Sequence, residues 1–429
     1  MKTELALHEE MSKIGQRAKS AARVLANVDT LTKNDALAAI AVQLERHREA
    51  ILRANAKDVA AMEAENPQSA KTDRLRLTEA RLTAMEAGLC QVATLADPVG
   101  HTLTRFTTAH GLDIEQRTVP LGVIGMIYES RPNVTVDAVA LCLKSGNAVI
   151  LRGGKEAIHS NTVLVEVIRC TLNDIGLPID TVQLLTDGDR RSVLALIQAR
   201  EFVDLVIPRG GAGLISHVVE NAHVPVIETG TGNCHIYVHA EADIDMAQQI
   251  LLNAKLQRPS VCNAAETLLV DTSLAANGLL TLVSGLLAHG VELRACARTL
   301  AALQAHHLTF SSIQLAIEED FETEFLDAVI AIKLVDDVDD AIRHIARYGT
   351  AHSETIVTGN QRIADKFLAS VDAAVVYHNA STRFTDGEMF GFGCEIGIST
   401  QKLHVRGPMG LRALTSYKYI ARGTGQIRP

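Results

Sequence analysis

Apolar residues recur along the first hundred positions with the period of a helix. Leu37, Ile40, Ala41 and Leu44 fall at i, i+3, i+4 and i+7, which puts them on one face. Thr32 with Asp35 behind it has the spacing of a capping box at the start of that helix. This region therefore predicts an amphipathic helical scaffold.

After residue 118 the pattern changes. Short apolar runs, VPLGVIGMIY (119–128), NAVIL (147–151), VQLL (182–185), FVDLVIP (202–208) and VPVIE (224–228), alternate with stretches long enough for helices at 133–144, 160–173, 188–199 and 211–221. Such alternation predicts parallel strands joined by crossover helices, with both sheet faces covered. ETLLV (266–270), AVIAIKLV (328–335), ETIVT (354–358) and AAVVY (373–377) repeat the theme, so a second α/β unit follows the first. Two segments stand apart. Residues 104–120 read as a polar hairpin turning near His110–Gly111, and the basic tail 401–429 shows no core-forming period. Both are expected to be arms outside the domains.

Composition narrows the choices. Aromatic residues are only 3% and Trp is absent, which suits helices on a parallel sheet better than an aromatic-rich sandwich. A formal charge of −9 argues against a nucleic-acid partner and requires any phosphorylated cofactor to be held by a local cluster of donors. The seven Cys are scattered and include no CxxC pair, so neither a disulfide framework nor a metal site is expected. There is no secretory leader and no apolar stretch near the roughly 20 residues of a membrane span, which predicts a cytoplasmic chain without membrane contact.

Several motifs are missing: no GxxxxGK[ST], HExxH or GxSxG, and no complete GxGxxG after a strand. Instead Gly153–Gly154, Gly210–Gly211 with Gly213, and Gly230 with Gly232 follow predicted strands, where glycine lets backbone approach a ligand. One such cluster is an ordinary turn; three at successive strands are more informative. In QRPSVCNAAETLLV (257–270), Cys262 follows a proline on a loop between a helix and a strand. A free thiol with pKa near 8.5 is only about 3% thiolate at pH 7, so a nucleophile needs nearby donors, and a loop permits them. By itself such a cysteine is more often a small buried hydrophobe. Cys234–His235, on an apolar strand, reads as core, and DDVDD (336–340) reads as a helix start.

QRPSVCN resembles the nucleophile loop of the aldehyde dehydrogenase superfamily, and VPVIETGTGN (224–233) resembles its strand carrying a Glu before glycines. The strings at 119–157, IPRGGAGLI (207–215) and NASTRFTDGEMFGFGCEIGISTQKLHVRGPMGL (379–411) are similar, more specifically, to its gamma-glutamyl phosphate reductase family. YESRPN and NASTRF are absent from general aldehyde dehydrogenases. The resemblance spans essentially the whole chain in order.

It implies an aldehyde dehydrogenase-like α/β fold: a Rossmann-like NADP-binding domain (1–105 and 121–230, with 385–400 returning to it), a catalytic α/β domain (231–384), and a small β oligomerisation arm (106–120 and 401–429). It also implies reduction of L-glutamyl 5-phosphate to L-glutamate 5-semialdehyde by NADPH, with phosphate release, in proline biosynthesis. Cys262 would form a thioester, with its own N–H and the Asn133 amide as oxyanion donors; Asn133 is alternatively a helix N-cap. Glu228 would be a proton shuttle or a buried structural carboxylate. Arg152, Gly153, Gly154, Lys155, Gly210, Gly211 and Glu324 would hold the cofactor, and Arg131, Ser381, Thr382 and Arg383 the substrate. A homo-oligomer and a contact with a glutamate 5-kinase are further expectations. The competing functions are an aldehyde-oxidising or CoA-acylating dehydrogenase, and a non-catalytic dinucleotide-binding subunit.

Overall fold

The helical pattern of the first hundred residues folds as α1 (Glu4–Leu25), α2 (Thr30–Arg46), α3 (Arg48–Glu65), α4 (Ala70–Leu75) and α5 (Glu79–Thr94). They belong to a computed structural model that describes residues 4–65, 70–306 and 311–428. Leu37, Ile40, Ala41 and Leu44 line the buried face of α2, as their spacing predicts. The cap does not follow the expectation. Asp29 is the N-cap, and its carboxylate accepts the Thr32 N–H at 2.9 Å. Thr32 is already inside the first turn, so it accepts no cap bond and Asp35 closes no box on it.

The contacts of the chain define two units, the first comprising Met1–Thr229, Gly391–Gly397 and Met409–Pro429. After the helices come β1 (Thr102–Thr107), β2 (Asp113–Pro120), β3 (Val123–Tyr128), α6 (Pro132–Lys144), β4 (Ala148–Arg152) and α7 (Ile158–Asp174). β5 (Val182–Leu184), α8 (Arg190–Gln198), β6 (Leu205–Arg209) and α9 (Ala212–Asn221) follow. The sheet runs β5-β4-β3-β6, every pair parallel. Ile14 and Ala18 of α1, Val193 and Leu196 of α8, and Val218 of α9 pack with Val123, Ile150 and Val206 in one core cluster. α2 and α5 pack onto α6, and α2 and α3 onto α7, so the N-terminal helices form a further layer.

One expected strand is missing. VPVIE makes only an isolated bridge, Val206 to Val226, because Pro225 has no N–H to extend a ladder. The tail differs too. Met409 and Leu414 are fully buried, and Thr415–Arg422 is a strand paired antiparallel to β2, giving the order β1-β2-C-terminal strand. The turn between β1 and β2 includes Gly111 at φ +79°. Glu115, 5% exposed, joins all three strands: it accepts from Thr102 on β1, Arg117 on β2 and Arg422 on the C-terminal strand at 2.7–3.0 Å. These donors hold its carboxyl down at about 2.

The second unit is Gly230–Phe390 with Ile398–Pro408. It contains β7 (Cys234–Val238), α10 (Ile244–Leu256), β8 (Ala265–Asp271), α11 (Asn277–Ala288), β9 (Glu292–Ala295), α12 (Ala297–Ala305) and β10 (Ile313–Leu315). β11 (Val329–Val335), α13 (Val338–Tyr348), β12 (Ser353–Val357), α14 (Gln361–Ser370) and β13 (Val375–His378) complete it. The sheet order is β10-β9-β11-β8-β7-β12-β13, all parallel. Leu251 and Leu282 pack with Leu268 and Ile332 in one core, and Ile345 and Phe367 with Leu269 and Ile356 in another. The central strands β7, β8 and β12 are buried along their whole length, so neither of their faces meets water.

Candidate active site

Polar groups of the second unit gather where the chain enters its strands. Residues 230–233 lead into β7, residues 257–264 lead from α10 into β8, and residues 322–328 lead into β11. Cys262 lies on the middle segment and is half-buried, whereas Cys234 is fully buried. Its backbone is gripped on one side. Gly232 lies so close that a Cβ there would overlap the Cys262 carbonyl, and the Cys234 thiol donates to that carbonyl oxygen at 3.2 Å. The Gly232 N–H in turn donates to Glu324 Oε1 at 2.8 Å. Glu324 is half-buried and its carboxyl is raised by desolvation, against the pull of that N–H.

Asn263 ties the loop to the segment that follows β13. Its amide donates to the Thr385 carbonyl at 2.8 Å, and its own carbonyl accepts from the Thr382 hydroxyl at 2.7 Å. The Arg383 guanidinium donates to the Asn263 side chain and, at 3.0 Å, to Gln257 Oε1 at the start of the loop. Ser381 caps the short 3-10 turn Thr382–Phe384 by accepting the Arg383 N–H. Two of the residues expected to hold substrate, Thr382 and Arg383, thus buttress the Cys262 loop, and Ser381 braces the turn that carries them. Thr382 is fully buried, so its hydroxyl is committed to that role. Arg383 is half-buried, with its pKa lowered first by desolvation.

In the first unit the polar turns lie at the opposite, carboxyl ends of the strands. β3 runs out through Glu129 into Ser130, which takes φ +29° while its N–H and hydroxyl bind Glu156 Oε1 at 2.9 and 2.5 Å. Arg131 is the N-cap of α6 and Pro132 its first residue. Asn133 therefore stands inside the helix, not at its cap. It is exposed and donates to Asp137 Oδ2 at 3.0 Å. Desolvation pushes Asp137 up to about 6, while Asn133 and Arg209 pull it down.

After β4, Arg152 turns inward. It is 8% exposed and donates to the carbonyls of Gly153, Gly188 and Asp189. Lys155 by contrast is exposed, beside Gly188. A Cβ on Gly153 would overlap the Asn161 amide, so that glycine serves packing. After β6, a Cβ on Gly210 would press on Glu129, whose carboxylate accepts the Gly211 N–H at 3.2 Å. Gly211 is the N-cap of α9, and both it and Gly213 face open space. Strand, glycine turn and open helix N-terminus together fit a pyrophosphate. Glu228 is half-buried beyond the bridge at Val226.

Sequence reasoning overlooked the fully buried Lys255–Glu266 pair that flanks the Cys262 loop. The available signal was a single charge within an apolar strand, ETLLV. Cys234–His235 lies on β7 as core, with His235 bonded to the buried Glu354. Among the described residues no group of His, Cys, Asp and Glu could hold a metal ion, and no helix is long and apolar enough to cross a membrane.

Residues 1–289 match the aldehyde dehydrogenase family model. Gamma-glutamyl phosphate reductase of Moorella thermoacetica is 55% identical over 98% of this chain and 99% of that protein. The enzyme of that name from Desulforamulus reducens is 54% identical over 97% of this chain and 99% of its own. Among solved structures, gamma-glutamyl phosphate reductase from Thermotoga maritima superposes with a TM-score of 0.94 at 47% identity, covering 98% of this chain and all of that one.

Proposed function

Since the chain belongs to the aldehyde dehydrogenase family, among its gamma-glutamyl phosphate reductases, we propose that it reduces L-glutamyl 5-phosphate to L-glutamate 5-semialdehyde through a thioester on Cys262. The observation that carries this reading is the half-exposed Cys262 on a loop braced from both sides, by Gly232 and by the Thr382–Thr385 segment. A rigid loop keeps a nucleophile near attack geometry, which supplies much of the rate in acyl transfer.

The Cys262 thiolate attacks the γ-carbonyl carbon, and the C–O bond to phosphate breaks, leaving the acyl group on sulfur. The nicotinamide cofactor, when bound, supplies the hydride that converts this thioester to a thiohemiacetal anion. Breakage of the C–S bond then releases the aldehyde and restores the thiolate. The tetrahedral oxyanion in both stages needs donors about 3 Å away. The Cys262 N–H is the first; the Asn133 amide is the second, with one of its two N–H groups already on Asp137. Glu228 serves as a proton shuttle; as a water-activating base it would hydrolyse the thioester.

NADPH is the proposed cofactor. Gly211 at the open start of α9 would receive the pyrophosphate, with Gly210 behind it, and the exposed Lys155 the 2′-phosphate. The inward-turned Arg152, with Gly153 and Gly154, shapes that turn. Glu324 would bind the nicotinamide ribose. Arg131 and Arg383 are the guanidinium partners for the substrate carboxylate, Arg383 on the nucleophile loop's own scaffold. Exposed Leu103, Phe106, Tyr417 and Tyr419 on the three-stranded sheet support a homo-oligomer built through it. A cytoplasmic location and direct receipt of the labile acyl phosphate from a glutamate 5-kinase complete the proposal.

The test is mass spectrometry of enzyme quenched after mixing with glutamyl phosphate without cofactor. A glutamyl adduct on the peptide carrying Cys262 is expected; an unmodified peptide from enzyme that still turns over would overturn the covalent route.

A further inference from the structure

Lys255 and Glu266 are both fully buried, and Lys255 Nζ lies 2.6 Å from Glu266 Oε2. Lys255 is in the last turn of α10 and Glu266 is the second residue of β8, so the pair spans the base of the loop 257–264 that carries Cys262. The other carboxylate oxygen, Oε1, accepts the Leu326 N–H at 3.3 Å. Leu326 holds φ +56°, a left-handed conformation that an ordinary side chain avoids unless its surroundings impose it. Two residues earlier, Glu324 holds the Gly232 N–H, and Gly232 lies directly against the Cys262 backbone. One buried ion pair is therefore linked to the nucleophile by two routes. The first is the pair of loop ends it joins; the second runs through Leu326, Glu324 and Gly232.

Stability does not account for such a pair. Removing two charges from water costs more than their attraction commonly returns, and apolar residues of similar volume often serve the fold as well. What two apolar side chains cannot supply is direction. The carboxylate fixes the ammonium at one oxygen and a backbone N–H at the other, in one register.

We infer that Lys255 and Glu266 are positioning residues that hold Cys262 in its attacking geometry by pinning both ends of its loop to the 322–328 segment. This inference rests on the reading of Cys262 as the nucleophile. It makes Glu324 a brace for the loop as well as the proposed ribose ligand, so that cofactor site and nucleophile share one anchored segment.

The full-length enzyme tests it. Glu266→Gln and Lys255→Met each leave one buried group without its partner, whereas Lys255→Met/Glu266→Met removes both charges at similar volume. The double variant is expected to recover the thermal midpoint lost by the single ones. Its kcat stays about 10- to 100-fold below wild type, with KM for glutamyl phosphate changed by less than about threefold. The rate of Cys262 alkylation by iodoacetamide, located by peptide mass spectrometry, should depart from wild type in the same variants. Recovery of kcat together with the midpoint, or an unchanged alkylation rate, would reduce the pair to packing and overturn the inference. Hydrogen exchange on the unmodified enzyme decides the matter if no variant folds: amides of 257–264 and 322–328 should open as one unit, and independent opening refutes the clamp. Turnover surviving in Cys262→Ala would instead sink the thioester reading, while alkylation and exchange still judge the clamp.

Discussion

Gly232 of the second unit and the Gly211–Gly213 turn of the first play opposite parts. In the second, Gly232 has no room at all: any side chain would collide with the backbone of Cys262. In the first, Gly211 and Gly213 face open space at the start of α9. The Cys262 loop is cross-bonded by Cys234, Asn263, Thr382 and Arg383, as holding the proposed nucleophile within a fraction of an ångström would require. The start of α9 leaves space free, as entry and exit of the proposed dinucleotide would require. The two sets also occupy opposite strand ends, the amino ends in the second unit and the carboxyl ends in the first.

The sharpest test of this contrast is Cys262→Ala, which should lower turnover by at least about 10⁴-fold while leaving the dissociation constant for NADPH within about threefold. Steady-state kinetics and fluorescence titration check both halves; a comparable loss of cofactor binding would mean that the braced loop also builds the cradle. Next comes Gly232→Ala. Its backbone collision should cut kcat about 100-fold and destabilise the fold by about 1–3 kcal/mol, read by thermal unfolding. Normal kcat in that variant would show the loop to be compliant. A smaller effect is expected for Lys155→Ala, which should raise KM for NADPH about tenfold, or about 1.4 kcal/mol, and leave NADH kinetics untouched. At the small end, Gly213→Ala should stabilise α9 by about 0.5–1 kcal/mol, because the position is helical and unobstructed.

Two buried carboxylates extend the comparison. Glu115 faces two guanidinium groups and a hydroxyl and is held at about 2, whereas Glu266 is raised by full burial against one ammonium. A depressed acid stabilises the folded form above its unfolded value near 4.5, and that contribution is lost as pH falls from there through about 2. The three-stranded sheet should therefore loosen across that window. Amide exchange of β2 followed against pH would show it, and Glu115→Gln should flatten the response.

Much of the framework was legible from periodicity. The core face of α2, the strands from β3 to β6 and their crossover helices, and β8, β11, β12 and β13 lie where apolar spacing predicts, while the short strands β9 and β10 at one side of the sheet carry too few apolar residues to announce themselves. VPVIE misled because its apolar residues pack on β6 while Pro225 interrupts the ladder. The tail misled in the opposite direction: Met409 and Leu414 enter the core singly, without a repeat to announce them. At the site, a cysteine on a loop and glycine turns could be read directly. That Arg152 turns inward and Thr382 spends its hydroxyl on Asn263 could not, since both depend on partners distant along the chain.

The order of residues alone determined most of the segments that become strand and helix, and which cysteine stands between a helix and a strand. Those are local properties, set by side-chain spacing and turn chemistry. Only the folded chain decided what surrounds that cysteine, because Gly232, Glu324, Lys255, Glu266 and Arg383 come from separate stretches that the parallel sheet brings to the same edge. Parallel strands place their entry loops side by side whatever their separation in sequence, and hydrogen bonding there fixes what periodicity leaves open.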